Sequence, residues 1–387
     1  MKLSQLGEFG LIKQIKDTFT PPIPPLTKGG REGGVVVGIG DDCAAIKPRK
    51  GFLLIATTDA LIEGIHFKLD YIKPYQLGIK SININLSDIA AMGGIPLYAL
   101  LSIAAPPNFS VKFINEFLRG VKEGAQKYKV SVIGGNVSSS PPPLLPPQVG
   151  EEKGGGFFIN ITILGEVEKK YMLLRKGAKA GDKIFVTGYL GDSTAGLKIL
   201  KRSHLSAVAQ AGKSEACLER SRRVRSQREK KLVERHLVPI PRLAEGRFLA
   251  VKKLATSMID ISDGLASDIR RICEKSNVSA NIFTKNIPIS KELKDFTSSQ
   301  LKTRGTHPAD GSSKLITSLD FAIYGGEDYE LLFTVKPEKV GKLKSLWEDI
   351  KIPITMIGEI TKRGVNLVNT DGKAIPLTKE GYNHFKG

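Results

Sequence analysis

Cysteine, tryptophan and histidine are scarce in this chain: its 387 residues include three, one and five of them. Cys43, Cys217 and Cys273 make an odd count without metal-ligand spacing, which excludes a disulfide framework and a thiolate metal centre. Free thiols in a reducing compartment are expected. No apolar run approaches the roughly 20 residues of a membrane-spanning helix, so no membrane role is expected. Met1 to Glu8 lacks an apolar signal core, and the expectation is a cytoplasmic protein. Acidic residues are in deficit, 39 against 58 Lys and Arg, for a formal charge of +19. Part of the surplus is local, since residues 201–235 hold eleven Lys and Arg against four Glu, a net +7. That segment has neither interleaved aromatics nor an apolar period. A solvated insertion explains it better than a nucleic-acid interface, and no specific nucleic acid is expected as a partner.

Phosphate-binding glycine loops are missing too. Ala211-Gly212-Lys213-Ser214 resembles the end of a P-loop, but Ala207 stands where the opening glycine belongs. Gly38-Ile39-Gly40 lacks the third glycine of a dinucleotide fingerprint, and Asp41 and Asp42 occupy the place where pyrophosphate needs bare amides.

What the chain does have is three acidic clusters of one design, in which an apolar run delivers carboxylates into a small-residue context. They are Gly38-Ile39-Gly40-Asp41-Asp42, Asn85-Leu86-Ser87-Asp88 before Met92-Gly93-Gly94, and Met258-Ile259-Asp260-Ile261-Ser262-Asp263-Gly264. Carboxylates gathered at element ends repel one another unless a cation lies between them. Magnesium takes hard oxygen ligands and shares its shell with phosphates and water. Asp42, Asp59, Asp88, Asp260 and Asp263 are therefore candidate ligands, with Thr57 and Thr58 adding hydroxyl or carbonyl oxygens. One Asp in a turn is ordinarily a helix cap; five in comparable contexts are harder to explain that way.

Hydrophobic content of 41% with 25% charged residues supports two domains with sizeable cores. Strands are predicted at Val35 to Ile39, Leu53 to Thr57, Val130 to Ile133 (leading into Gly134-Gly135-Asn136), Phe157 to Gly165 and Lys183 to Gly188. Helices are predicted over Lys80 to Met92, carrying Asp88, and from Asp192 to Leu200. The pattern restarts after residue 167, which divides the chain into 1–167 and 168–387. Proline and glycine pairs mark inserts at 21–34 and 139–156, beside the basic one at 201–235.

Several runs resemble the thiamine-monophosphate kinase family. They are Gly38 to Ala44, Thr57-Thr58-Asp59 through Gly64-Ile65-His66-Phe67, Asn85 to Gly93, Arg235-His236-Leu237 with Pro239, Pro241 and Arg242, Asp260 to Leu265, and Gly325-Gly326-Glu327-Asp328-Tyr329-Glu330-Leu331. The resemblance extends in order from Gly7-Glu8-Phe9 to Gly381-Tyr382-Asn383-His384-Phe385, leaving out mainly the inserts. The acidic runs are shared with the wider superfamily of aminoimidazole ribonucleotide synthetase and selenophosphate synthetase. The Gly-Gly-Glu-Asp-Tyr-Glu-Leu run and the context of His66 are more particular to the thiamine branch.

The resemblance implies a two-domain α/β (α+β) fold of the aminoimidazole ribonucleotide synthetase type, with mixed sheets packed by helices and N-terminal strands forming a barrel across a homodimer axis. It implies ATP-dependent phosphorylation of thiamine monophosphate to thiamine diphosphate, by direct in-line transfer with several Mg²⁺ ions and without a catalytic side chain. Asp42, Thr57, Thr58, Asp59, Asp88, Asn136, Asp260 and Asp263 match metal positions. Gly135, Asn136, Arg175 and Ser262 match ATP contacts, and His66, Glu327 and Tyr382 match substrate contacts. Many relatives carry Asp where this chain has Asn136, which weakens that position as a metal ligand. Two alternatives stand beside this reading: another ATP-dependent phosphotransferase or synthetase of the superfamily, or a basic RNA-associated protein with an inactive fold of this type.

Overall fold

Alternating burial fixes the first sheet. On β6 (Phe158–Glu168), Ile159, Ile161 and Ile163 are buried while Asn160 and Thr162 between them are partly exposed, the period of two that gives a strand one apolar face. A computed structural model describes residues 2–19, 34–37, 45–140, 156–209, 226–304 and 317–379. They divide into two units, Met1–Ile89 with Gly94–Met172, and Ala90–Gly93 with Leu173–Gly387. Among the described residues no helix is long and apolar enough to cross a membrane.

The first unit contains α1 (Leu3–Phe19), the antiparallel pair β1 (Gly34–Val37) and β2 (Ala45–Lys47), then β3 (Phe52–Ile62), α2 (Pro74–Ala91), β4 (Ile95–Ala105), α3 (Val111–Lys127), β5 (Ser131–Ser139) and β6. Its four-stranded sheet has the order β3-β6-β4-β5. The β3–β6 and β6–β4 pairs are antiparallel, and β4–β5 is parallel across the α3 crossover. Phe157 is buried, with its ring stacked on Phe109 at 5.2 Å. The same ring meets the edges of Phe113 and Phe117 of α3 at 5.3 and 5.6 Å. Each such pair adds about 0.5–1.5 kcal/mol beyond its area burial, which anchors α3.

The second unit contains β7 (Lys183–Thr187), α4 (Asp192–Ala209), α5 (Gln227–Leu237), α6 (Leu243–Val251), β8 (Ala255–Asp260), α7 (Leu265–Ser276), β9 (Ser279–Phe283), α8 (Lys291–Arg304), α9 (Ser318–Tyr324), β10 (Leu331–Val335), α10 (Val340–Trp347), β11 (Ile354–Thr361), β12 (Val365–Val368) and β13 (Ala374–Pro376). Its seven-stranded sheet has the order β13-β12-β9-β11-β7-β10-β8, antiparallel except between β12 and β9. All five residues of β10 are buried, because it lies between β7 and β8 and both of its faces are covered. Leu332, Ile184 and Val186 join Ile259, Leu265 and Ile269 in one core. Phe333 faces the other way, stacking on Phe185 at 5.7 Å and on Trp347 of α10 at 6.4 Å.

The expected mixed α/β fold is present in both units. Some local expectations change. Thr57-Thr58-Asp59 lies within β3 and not at a strand end, because β3 runs on to Ile62 opposite β6. Gly134-Gly135-Asn136 likewise continues β5, held in parallel register by β4. Of the basic range 201–235, residues 201–209 extend α4 and residues 227–235 belong to α5, where Leu232 and Val233 are buried. Residues 210–225 between them lie outside the described residues, as do 21–33 and 141–155 of the other two proposed inserts. Where 141–155 leaves and returns, the Ser140 hydroxyl donates to the Gly156 carbonyl.

Candidate functional site

In the first unit β3 carries Thr57, Thr58 and Asp59, and α2 carries Asp88, four of the predicted oxygen ligands. Strand alternation puts Thr57 and Asp59 on one face of β3 and Thr58 on the other. The Thr57 hydroxyl donates to Asp88 Oδ2 of α2 at 2.5 Å, so the two predicted ligands are already joined. Thr58 looks onto the opposite face, where it donates to Asn160 Oδ1 at 3.1 Å and accepts from the Thr162 hydroxyl at 3.0 Å. Across that face Asn160 aligns with Ser102, and Ser102 with Asn136. Asn136 therefore shares a face with Thr58. Gly135 points the other way, and a Cβ there would meet the Leu101 carbonyl oxygen at 1.8 Å, so only glycine lets β5 approach β4 this closely. His66 follows β3, and its Nδ1 accepts the Ile62 N–H at 3.1 Å. That bond leaves the proton of the neutral ring on Nε2.

In the second unit β8 ends at the buried Asp260 and turns into α7. The turn is laced to the segment 325–330. Ile261 N–H donates to the Glu330 carbonyl, Tyr329 N–H to the Ile261 carbonyl, and Glu327 N–H to the Ser262 carbonyl at 2.8, 2.8 and 2.7 Å. Gly264 closes the turn at φ +102°, a backbone that residues with a Cβ rarely adopt. The Asp263 carboxylate pairs with Arg271 of α7, and its N–H donates to Asp268 Oδ2 at 3.2 Å. Burial pushes the Asp268 carboxyl up to about 7, against the attraction of Arg271 2.6 Å away. Arg175 is exposed, while its carbonyl accepts from Ser276 Oγ at 3.1 Å, pinning the backbone of its loop to the end of α7.

The run Gly325 to Leu331 divides its acids among different tasks. Glu330 is buried and forms a bidentate pair with Arg242, at 2.6 Å from Nε and 2.5 Å from Nη2; the Thr187 hydroxyl donates to the same carboxylate at 2.6 Å. Asp328 caps α4, accepting from Gly191 N and Ser193 N at 2.7 and 3.2 Å. Burial outweighs those amides and raises its carboxyl well above the ordinary range. Glu327 is partly exposed and adopts φ +63°, an uncommon conformation for a residue with a Cβ. Its Oε2 lies 3.0 Å from Nδ1 of the buried His236.

Thus the first unit brings Thr57 to Asp88, and the second brings Ser262 to Glu327 and Asp263 to Arg271. Asp42 and Tyr382 lie outside the described residues. Among the described residues no three His, Cys, Asp or Glu side chains are grouped to hold a metal. The donors in question are nonetheless oxygens of Asp and Thr, the chemistry Mg²⁺ selects. The roles of His236, Arg242, Ser193 and Asp192 were not foreseen. One signal was present: His236 and Arg242 stand in one Pro-containing run, two basic groups available to the acids of the Glu-Asp-Tyr-Glu run.

Residues 40–167 match the N-terminal domain of AIR synthase related proteins, and residues 179–368 match the C-terminal domain. The thiamine-monophosphate kinase of Buchnera aphidicola subsp. Schizaphis graminum is 38% identical over 90% of this chain and 93% of its own length. That of Bacillus subtilis is 36% identical over 91% and 94%. A solved structure described as AaThiL complexed with AMPPCP and TMP superposes with a TM-score of 0.66 at 31% identity, covering 100% of this chain and 99% of the other. The chain belongs to the thiamine-monophosphate kinase family of AIR synthase related proteins.

Proposed function

We propose that this protein transfers the γ-phosphoryl group of ATP to the phosphate of thiamine monophosphate, forming thiamine diphosphate and ADP. The observation that carries the reading is the full-length likeness to a solved relative described with AMPPCP, an ATP analogue, and TMP. The acceptor is itself a phosphate with a second pKa of about 6, so it is largely dianionic near neutral pH and needs no general base to attack. The chain's task is to hold two polyanions in line.

We assign Asp42, Thr57, Thr58, Asp59, Asp88 and Asn136 of the first unit, and Asp260 and Asp263 of the second, to Mg²⁺. Bound Mg²⁺ would offset phosphate repulsion and stabilise charge on the transferring group. Asp88 accepts the Thr57 hydroxyl at 2.5 Å, an orientation that turns one carboxylate oxygen toward β3. Asp263 shares its carboxylate with Arg271, so ligation there draws on a charge already partly neutralised. Gly135, Asn136, Arg175 and Ser262 are assigned to ATP. Arg175 offers its guanidinium to phosphate oxygens from a pinned backbone. His66, Glu327 and Tyr382 are assigned to thiamine monophosphate: His66 with a hydrogen-bond donor, Glu327 with a carboxylate for the cationic or amino part, Tyr382 with an aromatic face. The cytoplasm, with its ATP and Mg²⁺, is the proposed location.

We further propose a homodimer joined through β3. That strand is an edge of the four-stranded sheet and leaves Leu53, Leu54 and Ile62 exposed, with Ile65 just beyond it.

The test is product separation after incubation with ATP and thiamine monophosphate. ADP and thiamine diphosphate should appear in equal amounts, vanish on chelation with EDTA, return with added Mg²⁺ and be absent with Asp59→Asn. ADP without thiamine diphosphate would refute the acceptor.

A further inference from the structure

We infer that His236 is a positioning residue for Glu327, fixing the carboxylate that meets the thiamine portion of the substrate; this rests on the proposed substrate role of Glu327. Three elements remote in sequence supply the arrangement. His236 lies in the last turn of α5 and is 2% exposed, with Nδ1 3.0 Å from Glu327 Oε2 and 3.1 Å from the hydroxyl oxygen of Ser193 at the start of α4. A carboxylate only accepts, so Nδ1 carries the hydrogen and donates to Glu327, with the Ser193 oxygen as a second acceptor.

Glu327 is constrained at its backbone as well. It sits at φ +63°, its N–H donates to the Ser262 carbonyl at 2.7 Å, and the preceding Gly326 carbonyl accepts from the Thr194 hydroxyl at 3.1 Å. A left-handed glutamate persists only where its surroundings over-determine it, and such positions cluster at ligand sites. Backbone constraint leaves the three side-chain torsions of a glutamate open. The imidazole is a rigid donor on a buried helix face, and it selects among those rotamers. The side chain of Glu327 remains 27% exposed, so the carboxylate is aimed without being sealed off. Ser262, which holds its backbone, also belongs to the acidic turn, which joins the substrate carboxylate to the phosphate-handling segment within one unit.

Steady-state kinetics with both substrates decide the matter. Glu327→Gln should raise KM for thiamine monophosphate, and His236→Ala should raise it about tenfold or more, the usual worth of a charge-assisted hydrogen bond, with KM for ATP unchanged. His236→Asn places an amide N–H where Nδ1 was and should recover most of the loss, whereas His236→Gln places it at the Nε2 position and should not. His236→Ala added to Glu327→Gln should cost little beyond Glu327→Gln alone. If His236→Ala fails to fold, the Asn and Gln variants carry the comparison. A KM raised by Glu327→Gln but not by His236→Ala or His236→Gln would overturn the inference. So would equal loss in the Asn and Gln variants for both substrates, the mark of a purely structural histidine. An unchanged KM in Glu327→Gln would instead remove the substrate role of Glu327, and the inference with it.

Discussion

Arg242 and Glu330 are each 3% exposed in side chain, and their bidentate pair is the most deeply buried charge arrangement described in the second unit. Removing one partner of such a pair strands the other, at a cost of about 3–5 kcal/mol, while replacing both with apolar groups can cost much less. Arg242→Met is therefore expected to lower the unfolding free energy in urea by about 3–5 kcal/mol. A loss below about 1 kcal/mol would mean that Glu330 finds another donor, for which Thr187 is too weak a substitute. The neighbouring acids behave differently because their partners differ: Asp328 is tied to two amides of α4, and Glu327 to a histidine. Three carboxylates within four residues thus serve one ion pair, one helix cap and one proposed ligand contact, a division that no reading of the motif as a unit would supply.

At the scale of elements, Asp192 at the head of α4 accepts from the Ser290 hydroxyl at 2.6 Å, and burial raises its carboxyl to about 6. A raised value in the folded state means the fold favours the protonated form. The stabilisation is complete below the unfolded value of 3.8 and is lost as pH rises through about 6. Asp192→Asn keeps an acceptor for Ser290 but does not titrate. Its urea midpoint should gain on that of the parent protein between pH 4 and 6.5, and a constant difference across that range would contradict the assignment. The elements themselves were largely legible. Lys183–Thr187 and the start of α4 at Asp192 follow from an apolar β-branched run and a polar cap, and α2 is legible from Lys80 onward, whereas the extension of α4 from Lys201 to Ala209 into the basic range is not. The extent of β3 and β5 was not, because Thr, Asp, Gly and Asn at 57–59 and 134–136 read locally as turns, whereas pairing with β6 and β4 keeps them extended. The same pairing separates Thr58 from Thr57 and Asp59, a distinction visible only once the strand is known to continue. Gly135→Ala tests that register: the added methyl cannot fit against the Leu101 carbonyl at 1.8 Å, and a clear fall in thermal midpoint is expected. An unchanged midpoint would show that β5 can move away from β4.

For the whole molecule, the mixed α/β architecture and the family were accessible from motifs spread along the chain, since each acidic run stands among small residues in a distinctive order. What motifs could not supply is the buried scaffold of His236, Arg242 and Asp192, whose partners lie 43 residues or more away in sequence. Oligomerisation is testable at this scale. Leu54, 52% exposed on edge strand β3, becomes buried if that edge joins a second copy, so Leu54→Asp should shift the sedimenting species from dimer to monomer. A parent protein that sediments as a monomer would dismiss the β3 interface. The most direct measurement overall compares acceptors: purified protein with Mg²⁺ and ATP is given thiamine monophosphate or thiamine, and the products are separated. Thiamine diphosphate formed from the monophosphate, with no phosphorylation of thiamine, is the expected result; a folded, ATP-binding protein that leaves thiamine monophosphate untouched would contradict it.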